Sequence, residues 1–232
     1  RIEKFSGKSP FDILPLENDT LLMSYAEGVR KFYENRLLYY SCDQDSFCMR
    51  ITKLFKDSGN KIYLGGLNGL WLYQDGHYKH MGKLYEDLYY RVTDIAKTGE
   101  YLLLSTQGAG IIFLSEQEYF KITEEDGLIS NSINDIAVKD ESIWVGTNKG
   151  ISRVIFSDVK QMNFNVLNIT TSKGLPHPQV NDIEVYDTLV YAATAEGLAF
   201  FPAKKTCFNK VAPSIFIRGV KISGIDTVYK SR

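Results

Sequence analysis

The chain has 232 residues, 27 Lys and Arg against 28 Asp and Glu, and a formal net charge of −1. That balance gives no electrostatic case for nucleic acid or anionic lipid, both of which want a concentrated basic face, and no apolar run approaches the ~20 residues of a membrane helix. Aromatic residues make up 13%, with 15 Tyr and 13 Phe, which favours pleated, half-buried surfaces over long helices.

In chain order, the opening RIEKFSG has neither a Met nor a leader pattern, so the chain is read as an excerpt of something longer. The first patterned stretch is PFDILPLENDTLLMSYAEGVRKF around Gly28, two apolar runs parted by an acidic turn. Cys42 and Cys48 follow. They would bridge in an oxidising compartment, but small buried hydrophobes is the favoured reading; with Cys207 they form no CxxC and no Cys/His cluster, so neither a metal nor a cofactor is expected.

The phrase around Gly28 then returns four times. It stands as RITKLFKDSGNKIYLGGLNGLWLY around Gly69, RVTDIAKTGEYLLLSTQGAGIIFL around Gly110, SINDIAVKDESIWVGTNKGISRV around Gly150 and QVNDIEVYDTLVYAATAEGLAFF around Gly197. The anchor glycines are 41, 41, 40 and 47 residues apart, and a near-constant period of this size marks a repeat architecture. In the Gly150 copy, Ile133 to Val138 alternates and reads as a strand, Lys139 to Ser142 as a polar turn, and Ile143 to Thr147 as a second strand. Asn148-Lys149-Gly150 make a tight turn in which Gly supplies positive φ, and Ile151 to Phe156 a third strand. A more variable fourth strand such as QEYFKIT (117–123) and a linker such as EEDGLISN (124–131) complete the unit. Trp71, Leu103, Trp144 and Tyr191 are read as equivalent residues that pack one unit on the next.

Four short antiparallel strands per ~40 residues describe β-propeller blades. The expected fold is therefore all-β: about five four-stranded blades, with the fifth showing three clear strands that end near Phe201. The five are read as part of a larger ring; the alternative is that RIEKFSG supplies the last blade's missing strand and closes a five-blade ring.

These blades resemble the two-component regulator propeller repeat, whose pattern runs Gly-Leu, Asp-x-x-Gly-Asn, Leu-Trp-Ile-Gly-Thr, x-x-Gly-Leu. KDSGNKIYLGGLNGLW (56–71), GLISNSINDIAVKDESIWVGTNKGI (127–151) and GLPHPQVNDIEVYDTLVYAATAEGL (174–198) carry the likeness; the copies at Gly28 and Gly110 depart further. The tail PSIFIRGVKISGIDTVY (213–229) is similar to the opening strands of the three-tyrosine domain, an Ig-like β-sandwich. The resemblance implies a propeller over residues 1–208 and the start of a three-tyrosine domain over 209–232. It further implies the periplasmic sensor region of a bacterial inner-membrane protein that binds a glycan or a glycan-derived ligand. Such a region is not expected to be an enzyme itself; the alternative readings are a propeller enzyme acting on polysaccharides, as a lyase or hydrolase, and a protein-interaction propeller. The sensor region would signal as a homodimer to a histidine kinase, with membrane attachment through segments outside this chain.

No converging catalytic set stands out. His77 and His80 in QDGHYKHM are read as a solvated outer connection rather than a metal pair. Asp12, Asp94, Asp135 and Asp182 recur in the innermost strand, a ring that would suit a cation or a sugar. Because scaffolding obeys the repeat and a site breaks it, they are read instead as caps on linker N–H groups or as channel-facing groups. A ligand is expected on the loop face, where the turns between second and third strands and the blade linkers emerge together. The candidate contacts are Asn68, Gln107, Lys149 (beside Asn148) and Glu196 from the turns, and Tyr89, Tyr90, Arg91, Asn131, His177 and Gln179 from the linkers. A tyrosine ring stacks on the C–H face of a sugar, and amides read its hydroxyls.

Overall fold

A strand such as Ser142–Thr147, buried at every position, has both faces of its sheet covered and no interior of its own, so stability has to come from stacking one sheet on the next. A computed structural model, which describes residues 9–33, 36–39, 49–59, 61–205, 220–222 and 225–227, shows that arrangement. Blade one consists of β1 (Asp12–Pro15), β2 (Leu21–Tyr25), β3 (Gly28–Tyr33) and β4 (Arg36–Tyr39). Blade two follows with β5 (Ile51–Lys56), β6 (Ile62–Gly66), β7 (Gly69–Gln74) and β8 (His77–His80). Blade three has β9 (Val92–Thr98), β10 (Tyr101–Thr106), β11 (Ile111–Leu114) and β12 (Tyr119–Ile122). Blade four has β13 (Ile133–Lys139), β14 (Ser142–Thr147), β15 (Ile151–Asp158) and β16 (Asn163–Ile169). Blade five has β17 (Val180–Tyr186), β18 (Leu189–Thr194) and β19 (Gly197–Pro202), and beyond it β20 (Val220–Ile222) pairs with β21 (Ile225–Thr227). Every blade is an antiparallel up-and-down sheet, and the first strands of successive blades touch in order, β1 to β5 to β9 to β13 to β17.

Each hydrophobic cluster lies between blades. Leu22, Val29, Leu54 and Leu64 join blades one and two; Leu70, Ile95, Leu104 and Ile112 join two and three. Leu103, Phe113, Ile136, Val145 and Phe156 join three and four, and Trp144, Ile183 and Val190 join four and five. Leu103 and Trp144 therefore pack towards the following blade, as expected, and Tyr191 holds the equivalent register. Trp71 does not. It sits in β7 opposite Leu64 and packs back towards blade one, while Tyr63 in β6 occupies the equivalent place. Matching Trp to Trp overlooked that Trp71 follows its anchor glycine while Trp144 precedes its own.

All five anchor glycines have positive φ, from 76° at Gly110 to 139° at Gly150. A second constraint acts at Gly69 and Gly110, where an added Cβ would fall 1.9 Å from the Leu88 carbonyl oxygen and 2.2 Å from that of Ile122. The period thus records both the turn and the close approach of the returning chain.

Two polar devices staple the inner strands. The Thr52 hydroxyl donates to the Val92 carbonyl (3.0 Å), the Thr93 hydroxyl to that of Ile133 (3.0 Å), and the Asn134 amide to that of Val180 (2.7 Å). One residue later, Asp12 accepts from the Leu54 N–H (2.8 Å) and Asp135 from that of Ile183 (2.9 Å). Asp12 and Asp135 thus cap the next blade's first strand and not linker N–H groups, the first of the two roles read from sequence. Blade two carries Lys53 at this position, and its ammonium lies 2.7 Å from buried Asp94. Burial, with the Asp94 charge beside it, pushes the Asp135 carboxyl up to about 7.

Cys42, Cys48, Cys207 and the RIEKFSG stretch lie outside the described residues.

Candidate functional site

Backbone hydrogen bonds fasten the turns between second and third strands of blades two, three and five to the residue that ends the preceding linker. Leu67 donates to the Arg50 carbonyl (3.2 Å), Gln107 to that of Arg91 (2.9 Å) and Ala195 to that of Gln179 (3.1 Å). The turns and linkers therefore form one face, as expected. Among the described linkers, that from blade two to blade three breaks the repeat, with two 3-10 turns (Met81–Lys83 and Glu86–Tyr89) where the next two linkers have one each. Fully buried Leu88 anchors the second turn, and Tyr89 and Tyr90 are left 50% and 45% exposed beside each other.

Both rings are held from behind. Tyr89 stacks on His80 with centroids 4.5 Å apart, and His80 meets Trp71 edge-on at 4.4 Å. His80 Nδ1 accepts from the Gly82 N–H (2.9 Å), which leaves Nε2 to donate to the Asn68 carbonyl at 2.7 Å. His80 is thus a buried end of β8 and not part of a solvated connection. It and His77 stand three apart in a strand, an odd separation that sends their side chains to opposite faces and away from any shared metal. Tyr90 lies against Gly108, where a Cβ would approach its ring to 2.6 Å.

From Tyr90 the polar groups run across blades three and four. Arg91 Nη1 donates to Gln107 Oε1 (3.3 Å). The Asn131 carbonyl accepts from the Gly108 (3.0 Å) and Gly110 (3.3 Å) N–H groups, and its side-chain oxygen accepts from the Glu124 N–H (2.7 Å). Glu124 in turn accepts from the Asn131 N–H (3.0 Å) and lies 3.3 Å from the Lys149 ammonium. The Asn131 N–H, with Lys149 beside it, holds the Glu124 carboxyl below the usual carboxylate range.

Two adjoining clefts open at Tyr90. One of about 690 Å³ is lined by Glu86, Asp87, Tyr89, Tyr90 and Lys121; the other, of about 390 Å³, shares Asp87, Tyr90 and Lys121 and adds Gly108, Asn131 and Glu125. At the join, Asp87 takes a hydrogen bond from the Tyr119 hydroxyl and an ion pair from Lys121 at 2.8 Å. Burial works to raise the Asp87 carboxyl, but these two donors outweigh it and keep it below its ordinary range. Tyr119 also stacks on Tyr85, centroids 4.2 Å apart.

Of the ten residues singled out from sequence, Tyr89, Tyr90, Arg91, Gln107, Asn131 and Lys149 come together here. Asn68 joins only through its carbonyl, since its amide points to the Met49 sulfur at 3.2 Å. His177 and Gln179 make local bonds on blade five, the Gln179 N–H to His177 Nδ1 (3.1 Å) and the Gln179 amide to Asn181 (2.9 Å), and exposed Glu196 lies on the same blade. Sequence reasoning missed His80, Asp87, Gly108, Lys121 and Glu125. The QGAG stretch was the one available signal, because a second glycine beside the anchor Gly110 marks an extra close approach.

No family model matches the chain, and neither does any curated protein. Solved structures do. The extracellular domain of BT3049 from B. thetaiotaomicron, assigned to a hybrid two component system, superposes with a TM-score of 0.68 at 18% identity, over 87% of this chain and 28% of its own. That of BT4673 from the same organism, assigned to a one component system, gives 0.66 at 15%, over 85% and 28%. The computationally designed Ika8 protein gives 0.59 at 14%, over 82% and 57%. The chain shares their β-propeller fold. It spans less than a third of the length of the two bacterial domains.

The chemistry this face offers is recognition: two flat rings, amides, and several carboxylates around a pair of clefts. Among the described residues no group of three His, Cys, Asp or Glu is placed to hold a metal ion.

Proposed function

We propose that this chain is part of the extracytoplasmic, ligand-sensing region of a bacterial two-component regulator, and that it binds a glycan or a glycan-derived ligand without turning it over. The single observation that carries the reading is the pair of exposed tyrosines, Tyr89 and Tyr90, held flat by His80 and Gly108 at the mouth of two polar clefts. Rigid rings with nearby amides and carboxylates suit a sugar, and they stand on the loop face, where a scaffold of this type keeps its binding groups. The fold shared with extracellular domains of regulatory systems supports the sensing role.

On this reading the signal passes to a histidine kinase across the inner membrane, with the sensor working as a homodimer in the periplasm and residues 209–232 beginning a three-tyrosine domain. The β20–β21 hairpin is in keeping with such a start. Membrane attachment, on the same reading, is through segments outside this chain; no helix among the described residues is long and apolar enough to cross a membrane.

The test is a thermal-shift screen against oligosaccharides, with product analysis of every hit. A ligand at 100 times its Kd stabilises by ~2.7 kcal/mol, a rise of roughly 5–10 °C for a chain of this size. A shift with the sugar recovered intact supports the sensor. A hit that is consumed makes the chain an enzyme, and silence across the panel redirects attention to a protein partner.

A further inference from the structure

The two clefts are strongly one-sided in charge. Glu86, Asp87, Glu125 and Asp126 line them against Lys121 alone, four carboxylates to one ammonium and a net of −3. That ammonium is already committed, 2.8 Å from Asp87. Beyond the clefts, Lys149 pairs with Glu124 at 3.3 Å, and Arg91 donates to the neutral Gln107 amide at 3.3 Å with its Nε buried and away from any ligand. Asp126 caps the 3-10 turn by accepting from the Thr123 N–H (2.9 Å) and hydroxyl (3.0 Å). The side chains of Glu86 and Glu125 are exposed, and among the described residues neither takes part in a hydrogen bond or an ion pair.

We propose that the ligand of this face is a neutral, hydroxyl-rich glycan, and that Glu86 and Glu125 make the clefts discriminate against uronic-acid and sulfated chains. The inference rests on the glycan reading above and adds the substrate class. A free carboxylate is an acceptor-only group with two oxygens, suited to a pair of sugar hydroxyls that both donate. The same group repels an anionic substituent, and desolvating two like charges against each other without a cation to bridge them is costly. A site meant for uronates or sulfates would present an unpaired Arg or Lys as a fork or point charge for the anion. Here Lys121, the one cation that lines the clefts, faces Asp87 instead, while Tyr89 and Tyr90 supply the uncharged stacking surface a neutral ring needs.

The experiment is calorimetric titration of the full chain with neutral hexasaccharides (cello-, xylo- and manno-) and with anionic ones (galacturonan and heparin). Each is run at low salt and at about 0.5 M salt, where charge effects are screened. A neutral chain is expected to bind, with the anionic chains at least about tenfold weaker at low salt. That gap is expected to narrow at high salt and in a Glu86→Gln, Glu125→Gln double variant whose circular dichroism is unchanged. An anionic chain that binds as tightly as a neutral one at low salt overturns the proposal and leaves the glycan reading standing. So does a gap indifferent to both salt and the glutamine variant, because the carboxylates are then not its cause. If no sugar of either charge class binds, the glycan reading falls and this proposal with it.

Discussion

Gly108 sits at φ 133°, and a Cβ there would press into the Tyr90 ring at 2.6 Å. Alanine at this position thus meets two penalties, a left-handed backbone and a displaced ring. Gly108→Ala is expected to cost about 1 kcal/mol of stability but to weaken ligand binding by about tenfold, since the ring and the cleft mouth move together. Titration and melting on the same sample separate the two effects; an affinity that survives the substitution would show Tyr90 to be a bystander. Asp135 makes a different residue-scale argument. Its carboxyl is raised in the fold to about 7, from an ordinary value near 4, by burial and by Asp94 beside it. The folded chain therefore keeps a proton that the unfolded chain releases, and stability falls as pH rises through that window and levels off above it. Asp135→Asn keeps an acceptor for the Ile183 N–H while removing the charge. It is expected to flatten the fall between about pH 4 and 7 and to raise the melting temperature at pH 8. A variant whose melting curve tracks the parent at every pH would contradict the assignment.

At the scale of strands and linkers, what could be read in advance was whatever the period dictates. The anchor glycines, the three strands around Gly150 and the union of turns and linkers on one face all follow from alternation and a positive-φ turn, which sequence displays directly. What could not be read depends on which side of a strand a residue falls, or on partners that no motif connects. Trp71 was assigned the register of Trp144 by residue type, although it lies on the far side of its glycine. The Asp87–Lys121 pair joins a linker to an outer strand 34 residues on, and nothing local marks it. The inter-blade staples were visible only as a Thr or Asn before the recurrent acid, or before Lys53 in blade two, a pattern whose meaning needs the neighbouring blade in place. The energetics of that neighbour are testable. Phe113 is fully buried, stacks on Phe120 at 4.4 Å and meets Phe156 of blade four at 5.6 Å. Phe113→Ala is expected to destabilise by about 3–4 kcal/mol, and Thr93→Val, which removes a hydroxyl shared between Ile133 of the next blade and Ser105 of its own, by about 1 kcal/mol. Chemical denaturation of the two variants gives the ratio directly; equal losses would mean that packing between blades three and four is not where the stability lies.

For the molecule as a whole, a core placed only between blades makes protection depend on position along the row. Blades three and four are covered on both sides, whereas on blade five Tyr186, Leu198 and Phe200 are 75%, 63% and 67% exposed. Phe200 has the register of buried Phe113, opposite Tyr191 as Phe113 is opposite Leu103. Amide hydrogen exchange is therefore expected to be slowest in β9 to β15 and faster in β18 and β19 by orders of magnitude. Uniform exchange across all five blades would show that the far face of blade five is covered in solution. The staples carry one more consequence. Thr52 to Val92, Thr93 to Ile133 and Asn134 to Val180 close loops of 40, 40 and 46 residues, each a single repeat long. Because loop closure never has to reach past the adjacent unit, the entropic barrier to assembly is set by one repeat and not by the length of the chain. Any two neighbouring blades suffice to seed the structure, and the rest zips outward in both directions at a rate nearly indifferent to how many blades follow.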